Sequence, residues 1–273
     1  MAQDNTDQAN YWNDRAGNTW AELQDRLDTL LKPLSDAGLR AANAQHGERV
    51  LDVGCGCGDT SIALAARGAI VHGVDISGPM IERARARSSE VEFILADAAN
   101  FAAAQPYDLI FSRFGVMFFS DPTDAFANLH NLLNAGGRLV FVCWQPPTEN
   151  PWMSVTGRAV APFLPVTQPP PDPRDPGPFA FADADYVRTI LTDSGFNNIQ
   201  LDSFTATLQV GTNAEDALKL QTRVGPAARV MAELEDSART EALDAARGAL
   251  AAHQSASGVQ LGAAIWIVSA TAA

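Results

Sequence analysis

The sequence of 273 residues is poor in basic residues, in cysteine and in long apolar runs, and each shortage argues against a class of function. Its 19 lysine and arginine residues stand against 32 aspartate and glutamate residues, which gives a net charge of −13. A surface with this charge repels the phosphates of nucleic acids and of anionic membranes. We therefore expect neither of them as a partner.

Membrane-spanning, exported and metal-binding proteins carry signals that are absent here. No apolar run reaches the length that crosses a membrane, and residues 1–5 contain neither a basic nor an apolar signal region. The three cysteines have neither the spacing of a zinc site nor that of a disulfide framework. These absences predict a cytoplasmic protein without a metal site.

The most informative feature that is present is a glycine-rich loop. Gly54, Gly56 and Gly58 alternate there, between a strand pattern and a helix pattern. Because glycine has no Cβ, a ligand can approach the main chain directly, and the free N–H groups of the following helix point toward the same place. In an open α/β sheet, the carboxyl end of such a strand is where ligands bind.

Four acidic residues around the loop indicate which ligand it binds. A dinucleotide fingerprint requires Gly-x-Gly-x-x-Gly, but Asp59 stands where the third glycine would be. Asp52 would repel a pyrophosphate and could hold an ammonium group. Asp75 ends the next strand pattern and suits a ribose diol, and Asp97 follows the third and suits an exocyclic amine. An amino-acid end, a ribose and an adenine without phosphate make up S-adenosylmethionine, the cofactor that we predict.

Five sequence blocks in a fixed order extend this interpretation beyond the loop. They lie at residues 50–58, 74–77, 96–98, 107–112 and 133–139. With them the sequence resembles the class I S-adenosylmethionine-dependent methyltransferases, in particular the small-molecule group around the ubiquinone and menaquinone methyltransferases. The resemblance implies an α/β fold with a doubly wound, seven-stranded, mostly parallel sheet and a partly helical cap. It also implies methyl transfer to a small, partly apolar metabolite on oxygen, nitrogen or carbon.

The resemblance also implies which residues hold the cofactor. Family members often fold an N-terminal helix over its methionine end, which makes Trp12 and Trp20 candidates. The full set of expected cofactor residues is Trp12, Trp20, Asp52, Gly54, Cys55, Gly56, Asp59, Asp75, Ile76, Met80, Asp97, Ala98 and Ser112. Cys55 and Cys57 could instead form a redox or metal pair, but we interpret them as small side chains that fit a tight loop.

Methyl transfer from a sulfonium is an in-line displacement, so the protein has to align the acceptor, exclude water and remove a proton where the acceptor needs it. The Asp/Asn-Pro-Pro-Tyr element of nucleobase amino methyltransferases is absent, since residues 112–115 read Ser-Arg-Phe-Gly. Ser112 stands where catechol-type enzymes carry an aspartate. No histidine follows residues 119–121 as it does in plant-type O-methyltransferases. We therefore predict Arg113 as a catalytic residue that stabilises an anionic oxygen.

Aromatic and methionine side chains mark the expected acceptor site. We predict Tyr11, Phe114, Met117, Phe118 and Trp152 as substrate-binding residues. Such side chains orient an apolar acceptor and favour a sulfonium through cation–π contact. The alternative is that the same residues only pack beneath a lid.

The remaining patterns predict the domain organisation. We expect N-terminal helices that form part of the cap at residues 1–48 and the cofactor-binding core at 49–145. A proline-rich segment is expected over the site at 146–182. The rest of the sheet follows at 183–273, with a helical insertion at 214–253.

Local signals predict where several helices begin and end. Helical spacing over residues 18–31 predicts a helix that Pro33 ends, and Asp59 is expected to cap the helix after the glycine-rich loop. Asp183 is expected to cap a helix that Gly195 stops.

Proline predicts the remaining breaks. The prolines of residues 145–181 argue against any regular helix there, and Gly225-Pro226 is expected to divide the insertion into two helices.

Two other functions remain open on such a sheet. A nicotinamide-dependent oxidoreductase is opposed by the glycine spacing and by Asp52. A protein that binds S-adenosylmethionine but has no transferase activity, or one that catalyses another reaction on the sulfonium, is compatible with the same loop.

Overall fold

The structure is a computed structural model that describes residues 5–164 and 172–272. Four prolines of the predicted proline-rich segment lie outside the described residues, namely Pro165, Pro169, Pro170 and Pro171. Among the residues described, no helix is both long and apolar enough to cross a membrane.

Strands and helices alternate through much of the chain. The helices are α1 Thr6–Asn13, α2 Arg15–Glu22, α3 Gln24–Ala42, α4 Asp59–Ala65, α5 Gly78–Arg87, α6 Pro122–Asn131, α7 Pro151–Val160, α8 Ala184–Asp193, α9 Ala214–Gln221, α10 Pro226–Glu233 and α11 Asp236–Ala251. The strands are β1 Arg49–Val53, β2 Ile70–Asp75, β3 Glu92–Leu95, β4 Tyr107–Arg113, β5 Leu133–Trp144, β6 Asn197–Gly211, β7 Gln254–Ser255 and β8 Gly258–Thr271.

The strands form one sheet with the order β3-β2-β1-β4-β5-β8-β6, and the short strand β7 pairs with β8. The pairs among β1 to β5 are parallel, whereas β5 and β8 are antiparallel. The predicted doubly wound, seven-stranded, mostly parallel sheet is confirmed. Strand β1 lies between β2 and β4, where the strand order reverses, and the carboxyl ends of such strands form the ligand crevice.

The middle of the sheet is buried on both faces, as a parallel sheet requires. Leu51 of β1 and Leu109 and Ile110 of β4 have no exposed surface. Val50 and Phe111 belong to a hydrophobic cluster that also contains residues of α3, α4 and α5. These helices therefore fix the position of the loops that leave β1, β2 and β4.

The predicted end of a helix at Pro33 is wrong. The break lies at Leu23, between α2 and α3, and Pro33 is inside α3. The apolar stripe of α3 continues past the proline, because Leu34 and Leu39 are buried there as Leu30 and Leu31 are before it. Burying a leucine contributes about 1.5–3 kcal/mol, so the two buried leucines after the proline together offset the roughly 3 kcal/mol that an interior proline costs.

The predicted boundaries of α8 are confirmed. The Asp183 carboxylate accepts hydrogen bonds from the backbone N–H groups of Asp185 and Tyr186, so it caps the helix. Gly195 follows the end of the helix with a φ of +91°, a conformation that favours glycine.

The helical insertion breaks at Gly225-Pro226 as predicted, but it contains a second break. Leu234 and Glu235 have extended backbone conformations between α10 and α11, so the described insertion has three helices rather than two.

The expectation that residues 145–181 contain no regular helix is wrong for α7. Pro151 occupies the first helical position, where its missing N–H is not needed and its fixed φ suits the helix. The next proline in the sequence is Pro162, which leaves the residues between them free to form α7.

The chain divides into two compact units. The first contains Met1–Trp144, Arg174–Phe204 and Ile265–Ala273, and it includes the glycine-rich loop and the parallel strands. The second contains Gln145–Pro173 and Thr205–Ala264, with α7, α9, α10 and α11. The predicted division into a cap, a core and a segment over the site stays a prediction.

Candidate functional site

The glycine-rich loop adopts backbone conformations that other residues rarely reach. Gly54, Gly56 and Gly58 have φ values of +65°, +55° and +86°. A Cβ on Gly54 would lie 2.6 Å from the Cα of Gly115, so the loops after β1 and β4 touch through their backbones. A Cβ on Gly56 would meet only the flexible end of Met80 within 4 Å, among the described residues. The backbone at Gly56 is therefore open to a ligand once the Met80 side chain gives way.

Asp75 locks the loop to the end of β2. One of its carboxylate oxygens accepts a hydrogen bond from the backbone N–H of Gly56 at 2.8 Å, and the other accepts from that of Ser77 at 2.8 Å. Burial raises the pKa of this carboxyl, whereas the hydrogen bonds from Ser77 and Gly56 act in the opposite direction. The carboxylate has lone pairs left for a ribose diol, and that predicted role stays a prediction.

Asp52 is fully buried, and only one of its oxygens is satisfied. That oxygen accepts hydrogen bonds from the hydroxyls of Thr60 at 2.8 Å and Ser61 at 2.6 Å. The other oxygen, Oδ1, has no hydrogen-bond partner within the described part of the chain. Burial raises the pKa of Asp52 to about 6. An unpartnered buried carboxylate oxygen is costly, and a cationic donor such as an ammonium group would satisfy it.

Asp97 is reached by the N-terminal segment. Its Oδ1 accepts hydrogen bonds from the Asn5 side-chain amide at 3.1 Å and from the Ala99 N–H at 2.9 Å. The side-chain Oδ1 of Asn5 in turn accepts from the hydroxyl of Ser120 at 2.7 Å. Ala98, which lies between Asp97 and Ala99 in the sequence, is buried. Sequence reasoning missed Asn5 and Ser120, since nothing in their local pattern indicates a contact with Asp97.

Helices α1 and α2 are fastened beside the loop that follows β2. The Ser77 hydroxyl donates to the carbonyl of Trp12 at 2.7 Å. The Asn13 amide donates to the carbonyl of Ile76 and accepts from the N–H of Gly78, both at 2.8 Å. A Cβ on Gly17 would lie 2.0 Å from the Trp12 carbonyl, so only glycine allows this approach.

Predicted aromatic residues meet around Trp12. Its ring contacts Phe118 edge-on at 5.1 Å, Trp20 at 6.1 Å and Tyr11 at 5.2 Å, measured between ring centroids. Tyr11 keeps 37% of its surface exposed. The structure thus brings together three predicted site residues from α1 and α2 with one from the segment after β4.

The segment after β4 contains a strained aromatic residue. Phe114 has a φ of +64°, which a bulky side chain adopts at a cost of about 1–3 kcal/mol. Its ring stacks on Trp144 with centroids 4.1 Å apart and planes within 3°. Ser112 and Met117, two residues before and three residues after Phe114, are buried. The Ser112 hydroxyl accepts a hydrogen bond from the N–H of Gly115 at 3.3 Å. Trp144 was not predicted as a site residue.

Arg113 is paired rather than free. Its guanidinium donates to the hydroxyl of Ser35 at 2.8 Å and to Asp59 at 3.0 Å. Asp59 is not the N-cap that its position predicted, because Gly58 takes that place and Asp59 begins α4. The catalytic role of Arg113 and the cofactor role of Asp59 stay predictions.

The remaining predicted residues are placed as follows. Cys55 and Cys57 are buried free thiols, and burial raises the pKa of Cys57 to about 12. Burial also raises the pKa of the Cys55 thiol. The interpretation of both as small loop side chains stays a prediction. No group of potential metal ligands occurs among the described residues. Trp152 lies in α7 of the second unit, and its predicted substrate role stays a prediction.

Known methyltransferases are similar to this chain in sequence. The profile of the methyltransferase domain matches residues 50–137. A demethylmenaquinone methyltransferase of Thermus thermophilus is 33% identical over 163 residues, which are 53% of this chain and 74% of that protein. The chain belongs to the class I S-adenosylmethionine-dependent methyltransferase family. The family prediction is thereby confirmed.

Another relative of this methyltransferase is matched over a smaller share of its own length. A malonyl-[acyl-carrier protein] O-methyltransferase of Salmonella typhimurium is 34% identical over 143 residues, or 50% of this chain and 57% of that protein. The chain therefore spans little more than half the length of that relative.

The fold likeness reaches over nearly the whole chain. The crystal structure of magnesium protoporphyrin IX methyltransferase from Synechocystis with bound SAH has a TM-score of 0.57 and 18% identity, over 99% of this chain and 100% of that one.

Proposed function

We propose that the protein transfers the methyl group of S-adenosylmethionine to a small, partly apolar metabolite, on oxygen, nitrogen or carbon. The observation that supports this most is a row of three carboxylates. Asp52 lies in β1 near its carboxyl end, Asp75 ends β2, and Asp97 follows β3. Each suits a different part of one cofactor.

The free oxygen of Asp52 would accept the cofactor ammonium, Asp75 the ribose hydroxyls and Asp97 the adenine amine. A Cβ on Gly56 would meet only the end of the Met80 side chain within 4 Å, among the described residues, so the backbone beside Asp75 is open to a ligand. The other expected contacts, with Gly54, Cys55, Ile76, Ala98 and Ser112, follow from their places in the same loops. When bound, the cofactor supplies an electrophilic methyl group, and this chain has to hold it, orient the acceptor and exclude water.

We propose that the acceptor binds beside Trp12, Phe114, Met117 and Phe118. Trp12 contacts Phe118, Phe114 stacks on Trp144, and Phe114 and Met117 are buried, so this part of the first unit is rich in apolar and aromatic side chains. Aromatic faces also attract the positively charged sulfonium of the cofactor, and they do so without placing a charged side chain beside the acceptor. Arg113 is proposed to stabilise an anionic oxygen of the acceptor, although its ion pair with Asp59 equally supports a role in holding the loop.

Titration calorimetry with S-adenosylmethionine, S-adenosylhomocysteine and NAD tests the cofactor. We expect binding of the first two and none of NAD, and the reverse would favour an oxidoreductase. Transfer of a deuterated methyl group onto a metabolite extract, read by mass spectrometry, then tests the reaction. Binding without any labelled product would favour a protein of this family with a different activity.

We also propose a cytoplasmic location. Oxidising compartments favour disulfides, whereas the three cysteines of this chain are all buried free thiols. The net charge of −13 supports a small-molecule substrate rather than nucleic acid or an anionic membrane.

A further inference from the structure

Four charged side chains from four elements meet beside the glycine-rich loop. They are Asp28 of α3, Asp59 at the start of α4, Arg87 at the end of α5 and Arg113 at the end of β4. Arg87 lies 3.0 Å from Asp28, and Arg113 lies 3.0 Å from Asp59. The two pairs are linked, since Arg113 is also 3.8 Å from Asp28 and Arg87 is 4.0 Å from Asp59. We call these four residues the charge cluster.

The two arginines connect the cluster to the loop. Arg87 donates a hydrogen bond to the carbonyl of Cys57 at 2.7 Å, inside the loop itself. Arg113 holds Asp59, which directly follows Gly58. The carbonyl of Cys57 and the first residue of α4 are therefore each fixed by one guanidinium.

Asp28, on α3, is a largely buried carboxylate of the charge cluster. Its side chain is only 14% exposed, and its Oδ1 has no hydrogen-bond partner within the described residues. Burial, reinforced by the negative charge of Asp59, raises its pKa despite the two arginines. Buried ion pairs add little net stability, and apolar replacements are frequently as stable. Stability alone gives no reason for a carboxylate at this position.

We infer that Asp28 is a positioning residue for the cofactor-binding loop. Its carboxylate orients Arg87 directly and attracts Arg113, and through them it sets the carbonyl of Cys57 and the start of α4. The backbone of the neighbouring Gly56 is thereby held in a fixed position. This inference rests on the proposed function, because the position of the loop matters for affinity only if the loop binds the cofactor.

Asp28→Asn tests the inference, because it removes the charge with little change in shape. We expect S-adenosylhomocysteine to bind about tenfold more weakly by calorimetry, while the melting temperature stays within a few degrees of the wild type. The matched control is Asp25→Asn, three residues earlier on α3, whose side chain is 87% exposed and 3.8 Å from Arg83. The control should bind within twofold of the wild type.

A double variant separates positioning from a general structural effect. Arg87→Gln should weaken binding about as much as Asp28→Asn. The double variant Asp28→Asn/Arg87→Gln should bind about as weakly as either single variant, because both substitutions break the same Asp28–Arg87 ion pair. Asp28→Glu keeps the charge and should recover most of the affinity. If Asp28→Asn fails to fold, Arg87→Gln and Asp28→Glu carry the same comparison.

Unchanged affinity in Asp28→Asn, additive losses in the double variant, or an Asp28→Glu variant as weak as the asparagine would each overturn the inference. Failure of the wild type to bind S-adenosylhomocysteine would instead overturn the proposed function, so the two failures can be told apart.

Discussion

The loops after β1 and after β4 touch at Gly54 and Gly115, yet they are built in different ways. The loop after β1 is shaped by backbone, with three glycines at positive φ and the N–H of Gly56 donating to the carboxylate of Asp75. The segment after β4 is shaped by side chains, with Phe114 forced to a positive φ and stacked on Trp144. The first arrangement suits an invariant ligand such as a cofactor. The second suits a ligand that differs from one relative to the next.

The contact between the two loops should be the most sensitive point. Gly54→Ala would place a Cβ 2.6 Å from the Cα of Gly115 at an unfavourable φ. We expect a loss of about 3–4 kcal/mol in the free energy of unfolding and no measurable binding of S-adenosylhomocysteine. Denaturant unfolding and calorimetry provide the two measurements.

Gly136→Ala is the matched control for this substitution. Gly136 has a φ of +74°, but a Cβ there would meet nothing within 4 Å. It should cost about 1 kcal/mol, from backbone strain alone. Equal losses in both variants would show that the close approach at Gly54 contributes nothing.

The backbone-built half should also depend strongly on Asp75. Asp75→Ala removes the acceptor for the N–H groups of Gly56 and Ser77 and the expected partner of the ribose. Charge-assisted hydrogen bonds contribute about 1.5–3 kcal/mol, so we expect S-adenosylhomocysteine to bind roughly 10- to 150-fold more weakly. Calorimetry on a variant with a native circular dichroism spectrum would contradict the assignment if the affinity were unchanged.

Asp52 should affect stability and binding in opposite directions. Its folded-state pKa of about 6 lies above the ordinary value of 3.8, so its protonated form stabilises the fold, and this contribution is lost as pH rises from about 4 through about 6. At pH 8, Asp52→Asn should therefore unfold with a free energy up to roughly 3 kcal/mol higher than the wild type. At pH 4 the difference should vanish.

The same variant should bind S-adenosylhomocysteine more weakly at pH 8, because the ammonium would lose its charged partner. Urea titrations at both pH values, together with calorimetry, test the pair of effects. An Asp52→Asn variant that is less stable than the wild type at pH 8 would contradict the expected direction.

The side-chain-built half should leave cofactor affinity almost untouched. Phe114→Leu removes the stacking on Trp144 but keeps the backbone strain, and Phe114→Gly removes both. We expect both variants to bind S-adenosylhomocysteine within about threefold of the wild type, while methyl transfer to an acceptor found in the extract falls about tenfold. If cofactor affinity falls as far as it does in Asp75→Ala, the two loops do not form separate halves of the site.

The same difference explains how much of the site can be predicted from sequence. The positions of Asp52, Asp75 and Asp97 near strand ends were predictable, because the strand patterns and the glycine spacing indicate where those strands end. Asn5, Asn13 and Trp144 were not, because their contacts depend on how α1 and β5 pack in three dimensions. No local pattern around them carries that information.

The errors on helices have a related cause. Pro33 and Pro151 both lie in helices, although proline was expected to end or exclude them. For Pro33 a buried stripe outweighs the local cost, and for Pro151 the first helical position removes it. The parallel pairing within the sheet was predictable, since strand and helix patterns alternate and parallel strands need crossover connections.

The antiparallel pairing of β8 with β5 has a consequence during synthesis of the chain. Strand β5 is complete at Trp144, but the residues that pair with it, from Ile265 to Thr271, leave the ribosome more than a hundred residues later. Until then the apolar strand β5 has an edge of unpaired backbone N–H and C=O groups, which can pair with other nascent chains and lead to aggregation. The α/β core can assemble early, but the last pairing has to wait for a long-range contact that forms slowly. Shielding of this edge by a chaperone would raise the yield of native protein.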